Sequence, residues 1–167
     1  MKRQTRTRAA IATAAVLVAA GTVTAGVSAA GPESKSGKPA KAQIAALFNG
    51  WNAALATGDA ETVADRYASD AVLLPTVSPE IRTTRAGIVD YFEHFLQNKP
   101  QGKKIRTVVN VLDSNSAIDA GLYEFTLTDP ETGEKREVEA RYTYEYEKRG
   151  GKWLIVNHHS SVLPAAG

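Results

Sequence analysis

Residues 153–161, WLIVNHHSS, constrain this chain most, because the run opens as a buried strand and turns polar halfway along. A strand that changes character in this way leaves a packed core and enters a cavity. Side chains alternate across a strand, so Trp153, Ile155, Asn157, His159 and Ser161 are expected on one face and Leu154, Val156, His158 and Ser160 on the other. The two histidines then cannot line the same pocket. His159, flanked by Asn157 and Ser161, is the pocket candidate, either as a general base or as a hydrogen-bonding partner, against the competing reading of a satisfied structural histidine. His158 is assigned to the outer sheet surface or a subunit contact. Gly150 and Gly151 form a hairpin signal that pairs the strand antiparallel with the run 138–147.

Upstream the period is first helical. Ile44, Leu47, Phe48, Trp51 and Leu55 recur at three-and-four spacing and predict an amphipathic helix ending at Thr57-Gly58-Asp59. Asp59 is placed to cap a short second helix with the face Ala60, Val63, Ala64 and Tyr67. A short strand is expected at 71–75, then an irregular loop or hairpin over 76–84 that holds Pro79. Thr84 caps a third helix whose face is Ile88, Tyr91, Phe92, Phe95 and Leu96, stopped by Pro100. That aromatic stripe reads as core, and His94 lies off it as a solvated residue. From residue 103 the period becomes two, with strands expected at 104–112, 117–128, 136–147 and 152–162 joined by short turns, which dictates an antiparallel meander. The fold class is α+β, three N-terminal helices against a curved antiparallel sheet.

The first thirty residues belong to another class of segment. Lys2, Arg3, Arg6 and Arg8 precede an apolar run at 9–20 and the small residues Val27-Ser28-Ala29-Ala30, the pattern of a cleaved signal peptide. The run is too rich in Ala, Thr and Gly to read as a retained membrane helix. Residues 31–40 are a flexible spacer, and the folded domain covers 41–164. The whole chain has 20 Lys and Arg against 18 Asp and Glu. The signal holds four of the basic residues and no acid, so the mature chain carries a net charge of about −2 and no nucleic-acid partner is implied. There is no cysteine. An exported domain of this size must therefore rest on core burial, without thiolate chemistry or disulfides. No glycine-rich phosphate loop and no Gly-x-Ser-x-Gly elbow is present, and adjacent strand histidines point apart, so neither a cofactor nor a metal is expected.

Several motifs occur in an order that resembles the nuclear transport factor 2-like superfamily, which includes SnoaL-like cyclases and ketosteroid isomerases. They are Phe48 and Trp51 leading to Thr57-Gly58-Asp59, then Asp70-Ala71-Val72-Leu73, Asp90-Tyr91-Phe92-Glu93, and Gly151-Lys152-Trp153-Leu154-Ile155-Val156 ending at His159 and Ser161. Within that superfamily the chain is most similar to the association domain of calcium/calmodulin-dependent protein kinase II and its stand-alone bacterial relatives. The resemblance implies a cone with a concave pocket closed by helices and a sheet engaged in oligomer contacts. It implies no kinase activity, since the 167 residues hold no kinase domain or calmodulin-binding segment. Tyr123 takes a place where the kinase family carries an arginine, and Arg141 looks like the arginine of the bacterial group.

Four further side chains, Tyr123, Asp119, Arg82 and Arg141, join His159 as site candidates. Tyr123 shares a strand face with Asp119, Gly121 and Phe125, where glycine leaves room for a ligand or a crossing helix and tyrosine offers a phenol. Asp119 is either an isomerase-like base or, the preferred reading, an exposed strand-end acid. Arg82 projects from its loop over the cone mouth, and with Arg141 would suit a carboxylate, although a salt-bridged sheet surface also explains Arg141. The ligand-binding set is thus Arg82, Tyr123, Arg141, Asn157, His159 and Ser161, and the catalytic candidates are His159, Asp119 and Tyr123. Tyr142, Tyr144 and Tyr146 share one strand face, with Leu154 and Val156 on the next strand; if that face is the outer one, it is an apolar patch that a symmetric dimer through the sheets would bury. The functional expectation is a secreted, self-associating domain, a homodimer or higher homo-oligomer that binds an unidentified small molecule and leaves the membrane once the signal is removed. The alternative is a SnoaL-like enzyme performing isomerase, cyclase or dehydratase proton transfer on a small hydrophobic substrate. Mass spectrometry of the native protein should find a mature terminus at Ala30 or Gly31, and an intact Met1 in a cytosolic fraction would refute export.

Overall fold

The computed structural model describes residues 37–76 and 78–164; the expected signal peptide and the spacer as far as residue 36 lie outside the described residues. The apolar stripe that begins at Ile44 forms α1 (Lys41–Ala45) and α2 (Leu47–Ala56). Ala46 keeps right-handed helical angles between them, so the two pieces run on as one rod with an irregular turn. Ile44, Phe48, Trp51 and Leu55 are all buried. Gly58 ends the rod at φ 72°, a conformation that costs glycine little. The Asp59 carboxylate then accepts the Glu61 N–H at 3.0 Å and caps α3 (Ala60–Ala64), as its position predicts.

Tyr67, expected on that helix, instead opens β1 (Tyr67–Leu74). The cause is long-range: the Ile155 N–H donates to the Arg66 carbonyl at 2.9 Å, which draws the chain into the sheet directly after the helix. Leu73 and Arg82 then exchange two backbone hydrogen bonds across the following loop. Thr84 caps α4 (Arg85–Phe95), its hydroxyl oxygen accepting the Gly87 N–H at 3.1 Å. A 3-10 turn at Leu96–Asn98 and a left-handed Lys99 bring the helix to its stop before Pro100.

Four strands follow, β2 (Gln101–Val111), β3 (Ser116–Thr128), β4 (Lys135–Arg149) and β5 (Lys152–Val162). They pair as the expected antiparallel meander. The complete sheet has the order β1-β5-β4-β3-β2 and is mixed, because β1 lies parallel to β5 at its edge. Short turns fix the direction of neighbours in sequence; β1 and β5 have no such turn between them, and the direction in which α3 delivers the chain decides the pairing. Among the described residues no helix is long and apolar enough to cross a membrane.

The helices cover the face that carries Tyr142, Tyr144 and Tyr146, all buried, so the tyrosine face is the inner one and the condition for an outer apolar patch is not met. The alternate residues of β4 are Glu139, Arg141, Thr143, Glu145 and Glu147, and burying that set would strand four charges. In register, Tyr142 stands beside Gly121, Tyr144 beside Asp119 and Tyr146 beside Ala117. Trp51 sits over this ladder, with ring centroids 5.6 Å from Tyr144, 6.1 Å from Phe125 and 6.3 Å from Phe92.

The space at Gly121 is used by neither a ligand nor a helix. β2 shifts register between Lys104 and Arg106, and a Cβ on Gly121 would lie 1.9 Å from the Arg106 carbonyl oxygen. Backbone cannot yield as a flexible side chain does. Gly121→Ala should therefore lower unfolding free energy by at least about 3 kcal/mol in urea titration; a loss below about 1 kcal/mol would show that β2 moves freely.

Candidate functional site

β5 does not keep the alternation read from its sequence. Tyr146 pairs with Ile155 and Glu145 with Asn157, which leaves Val156 as an extra residue in a β-bulge. One inserted residue reverses every later side chain. Ile155 faces the core, and beyond the bulge His158 and Ser160 face it too, both buried. Asn157, His159 and Ser161 turn outward beside Glu145, Thr143 and Arg141. The assignment of His159 to the interior and His158 to the surface is corrected accordingly, and with it the single pocket expected to hold His159 and Tyr123.

Inside, three polar groupings are held by different elements. The indole Nε1–H of Trp51 on α2 donates to the Tyr67 hydroxyl at 3.0 Å, and that hydroxyl lies 2.8 Å from His158 Nδ1. Indole is a donor only, so the tyrosine proton goes to Nδ1 and the histidine proton sits on Nε2. Burial, followed by the neighbouring His159, lowers the His158 pKa to about 3. The ring therefore stays neutral near pH 7, stacked on Tyr144 with centroids 4.1 Å apart. His158 Nε2 and the hydroxyls of Tyr144 and Tyr146 are buried without a partner among the described residues.

The second grouping is Asp119, which is fully buried rather than exposed at a strand end. Its carboxylate pairs with Lys104 and accepts the Tyr142 hydroxyl at 3.0 Å. Lys104 also donates to the Ala45 carbonyl at 3.0 Å and lies 5.1 Å from the Phe48 ring centre. Such a carboxylate is committed to the helix-sheet junction.

The third is a chain of hydroxyls in which Tyr123 donates to Ser160, and Ser160 contacts Thr76. Burial pushes the Tyr123 phenol up to about 12, so it remains a donor. This chain adjoins a pocket of about 90 Å³ lined by Thr76, Tyr91, Phe95, Tyr123, Phe125 and Arg136. Tyr91, Phe95 and Asn98 also border a second hollow of about 260 Å³ that contains Arg82 and His94.

Of the residues expected to bind, Tyr123 lines the inner pocket and Arg82 the adjoining hollow. The Arg82 guanidinium is already paired with Glu80 at 3.0 Å and Asp90 at 2.9 Å. Arg141 lies on the outer face, in register with Leu122 and Ser161, and the pocket excludes it. Asn157 and His159 share a shallow outer hollow with Thr143 and Glu145. Sequence reasoning missed His158 and Ser160, which only the bulge turns inward. It also missed Arg136, although that residue has the same parity as Val138 and Ala140. Among the described residues no three His, Asp or Glu side chains gather in a metal-ligating group.

A helix-covered, curved mixed sheet with an interior pocket is the architecture of nuclear transport factor 2-like proteins. A superfamily member from Salmonella enterica superposes with a TM-score of 0.65 at 17% identity, covering 76% of this chain and 93% of that one. The family model for the calcium/calmodulin dependent protein kinase II association domain matches residues 40–164, and the chain belongs to that family. A Xanthomonas campestris structure, provisionally described as such an association domain, has a TM-score of 0.74 and 55% identity over 78% of this chain and 96% of its own. The association domain of C. elegans CaMKII shares the fold at a TM-score of 0.58 and 15% identity, covering 73% of this chain and 95% of that one. No curated protein matches the chain.

The lowered pKa of His158 makes stability depend on pH with a defined sign. The unfolded chain takes up this proton more readily than the folded one, so the contribution is complete above pH 6.5 and is lost as pH falls from 6.5 toward 3. Equilibrium unfolding between pH 6.5 and 4.5 should show a slope approaching ~1.4 kcal/mol per pH unit, which His158→Gln removes. His159→Ala should change stability by less than about 0.5 kcal/mol. An unchanged slope in His158→Gln would overturn the assignment of the buried histidine.

Proposed function

We propose that the mature chain is an exported, self-associating module whose role is assembly and small-molecule binding, without kinase activity. Membership of an association-domain family supports the assembly half, and the leader-like residues 1–30 support export. The observation that carries the reading is the ordering of charge on the uncovered sheet face. Strand register aligns Arg106, Leu122, Arg141 and Ser161 in one row. The next row holds Val108, Ala120, Thr143 and His159, with no carboxylate or guanidinium, and the one beyond it holds Asn110, Ile118, Glu145 and Asn157. Val108 is 55% exposed at the centre row.

A two-fold axis along the centre row sets Arg141 of one copy against Glu145 of the other and covers Val108 and Ala120. An axis along β4 would oppose like charges at both Arg141 and Glu145, whereas the centre-row axis opposes like charges only farther out, at Glu139 and Glu147. Proton-transfer catalysis ranks second. Asp119 is engaged by Lys104 and Tyr142, and His158 has its basic nitrogen occupied by Tyr67, so neither is a free base.

Sedimentation velocity at micromolar concentration tests the assembly. Arg141→Glu and Glu145→Arg should each weaken association by about tenfold, or ~1.4 kcal/mol, and the double exchange should restore it. A monomeric wild type would sink the proposal, and additive losses in the double variant would exclude this orientation.

A further inference from the structure

Where α1 meets the sheet, an amine and a carboxyl group are held against each other in the interior. Lys104 on β2 and Asp119 on β3 stand on neighbouring antiparallel strands, Lys104 in register with Tyr123 and Asp119 with Val109. The lysine side chain runs along the inner face until its Nζ meets the Asp119 carboxylate. Asp119 is fully buried and the Lys104 side chain only 15% exposed. Among the described residues every other ion pair uses an arginine, and the acids of those pairs are 42% to 66% or more exposed. A guanidinium stays charged and is no nucleophile, whereas a lysine amine taken out of water is a good one.

The groups around the pair match an amide. Nζ donates to the Ala45 carbonyl at 3.0 Å, and the Tyr142 hydroxyl donates to Asp119 Oδ1 at 3.0 Å. A secondary amide has one N–H to place and one oxygen to satisfy, and both partners are already there. An ammonium has three protons and a carboxylate two oxygens, and burying such a pair carries a desolvation cost that an amide avoids. The ring centres of Phe48 and Tyr142 lie 5.1 and 5.5 Å from Nζ and hold bulk water away. Burial also pushes the Tyr142 phenol upward, so it keeps its proton.

We infer that Lys104 and Asp119 condense into an isopeptide bond, a covalent staple between β2 and β3 that the folded chain makes by itself. The ammonium first gives one proton to Asp119 Oδ2, which leaves a neutral amine facing a neutral carboxyl group, the state a dry site favours. The nitrogen lone pair then forms the Nζ–Cγ bond, and the C=O electron pair moves onto Oδ1, where the Tyr142 O–H stabilises it. A second nitrogen proton passes to Oδ2, the Cγ–Oδ2 bond breaks, and water leaves along the exposed edge of Lys104 as Oδ1 recovers its double bond. The remaining N–H stays on the Ala45 carbonyl. No oxidant or co-reactant is consumed, and fixed proximity supplies what a dilute amine and acid lack. The bond would tie down the edge strand β2 in a chain that has no cysteine for a disulfide, whatever its oligomeric state.

Intact-protein mass spectrometry of the natively purified chain, read after urea denaturation, tests the bond. The wild type should be lighter than its sequence by the mass of one water. Trypsin should then leave residues 104–106 joined through side chains to residues 107–135, since Lys104 is no longer a cleavage site and Arg106 still is. Lys104→Arg keeps a cation beside Asp119 but cannot condense, and should have its full mass. Tyr142→Phe should slow or abolish the loss of water while Lys104 and Asp119 remain. A folded wild type of full mass after prolonged incubation would overturn the inference, as would a loss of water confined to a single tryptic peptide. These wild-type readings decide the matter even if a variant fails to fold.

Discussion

Two hydrogen bonds in series, from Trp51 to Tyr67 and from Tyr67 to His158, join the central helix, the edge strand and the last strand where water does not reach. Each partner would cost free energy if left alone, about 1 to 3 kcal/mol for a buried unpaired donor or acceptor. The arrangement therefore holds as a unit. It requires Tyr67 to leave α3 and enter β1, places β1 beside β5, and requires His158 to point inward. The last requirement is met only because Val156 is extruded as a bulge, since unbroken alternation after Ile155 would put His159 there.

The same bulge separates the two faces of the sheet by chemistry. Ser160 follows His158 inward and completes the hydroxyl chain of the pocket, whereas Asn157, His159 and Ser161 join the charged and neutral rows outside. The proposed small-molecule pocket and the proposed assembly surface thus fall on opposite faces of one layer. Substitutions at Arg141 or Glu145 need not disturb Tyr123, and the rigid ladder Tyr142, Tyr144 and Tyr146 lies between. The buried Asp119-Lys104 pair closes the far end of this interior against α1. It leaves the end beside Arg136 open.

Much of the scaffold was legible. Asp59 and Thr84 cap helices because a short oxygen-bearing side chain ahead of an apolar stripe has few other uses. The antiparallel order of β2 to β5 followed from turns too short for any crossover. The family resemblance read from Phe48, Trp51 and the Gly151-Lys152-Trp153 run agrees with the match over residues 40–164. The site was less legible. Tyr123 lines the inner pocket and Arg82 borders the adjoining hollow, whereas the burial of Asp119 cannot be read from its own strand, because the lysine that pairs with it stands on a different one. Tyr91 and Phe95 read as core and are half-buried walls of the pocket.

What the sequence by itself determined are the features with local causes: apolar periodicity, caps, short turns and the leader-like pattern at the start. These depend on neighbours within a few residues, so the chain displays them directly. Only the tertiary structure decided which histidine is inside, which way β1 runs, and why residue 121 is glycine. Each is settled by contact between strands distant in sequence: the bulge at Val156 by pairing with β4, the direction of β1 by pairing with β5, and Gly121 by the approach of the Arg106 carbonyl. A two-residue period fixes which side chains share a face only while the strand stays regular, and a single inserted residue, invisible in composition or spacing, exchanges the two faces.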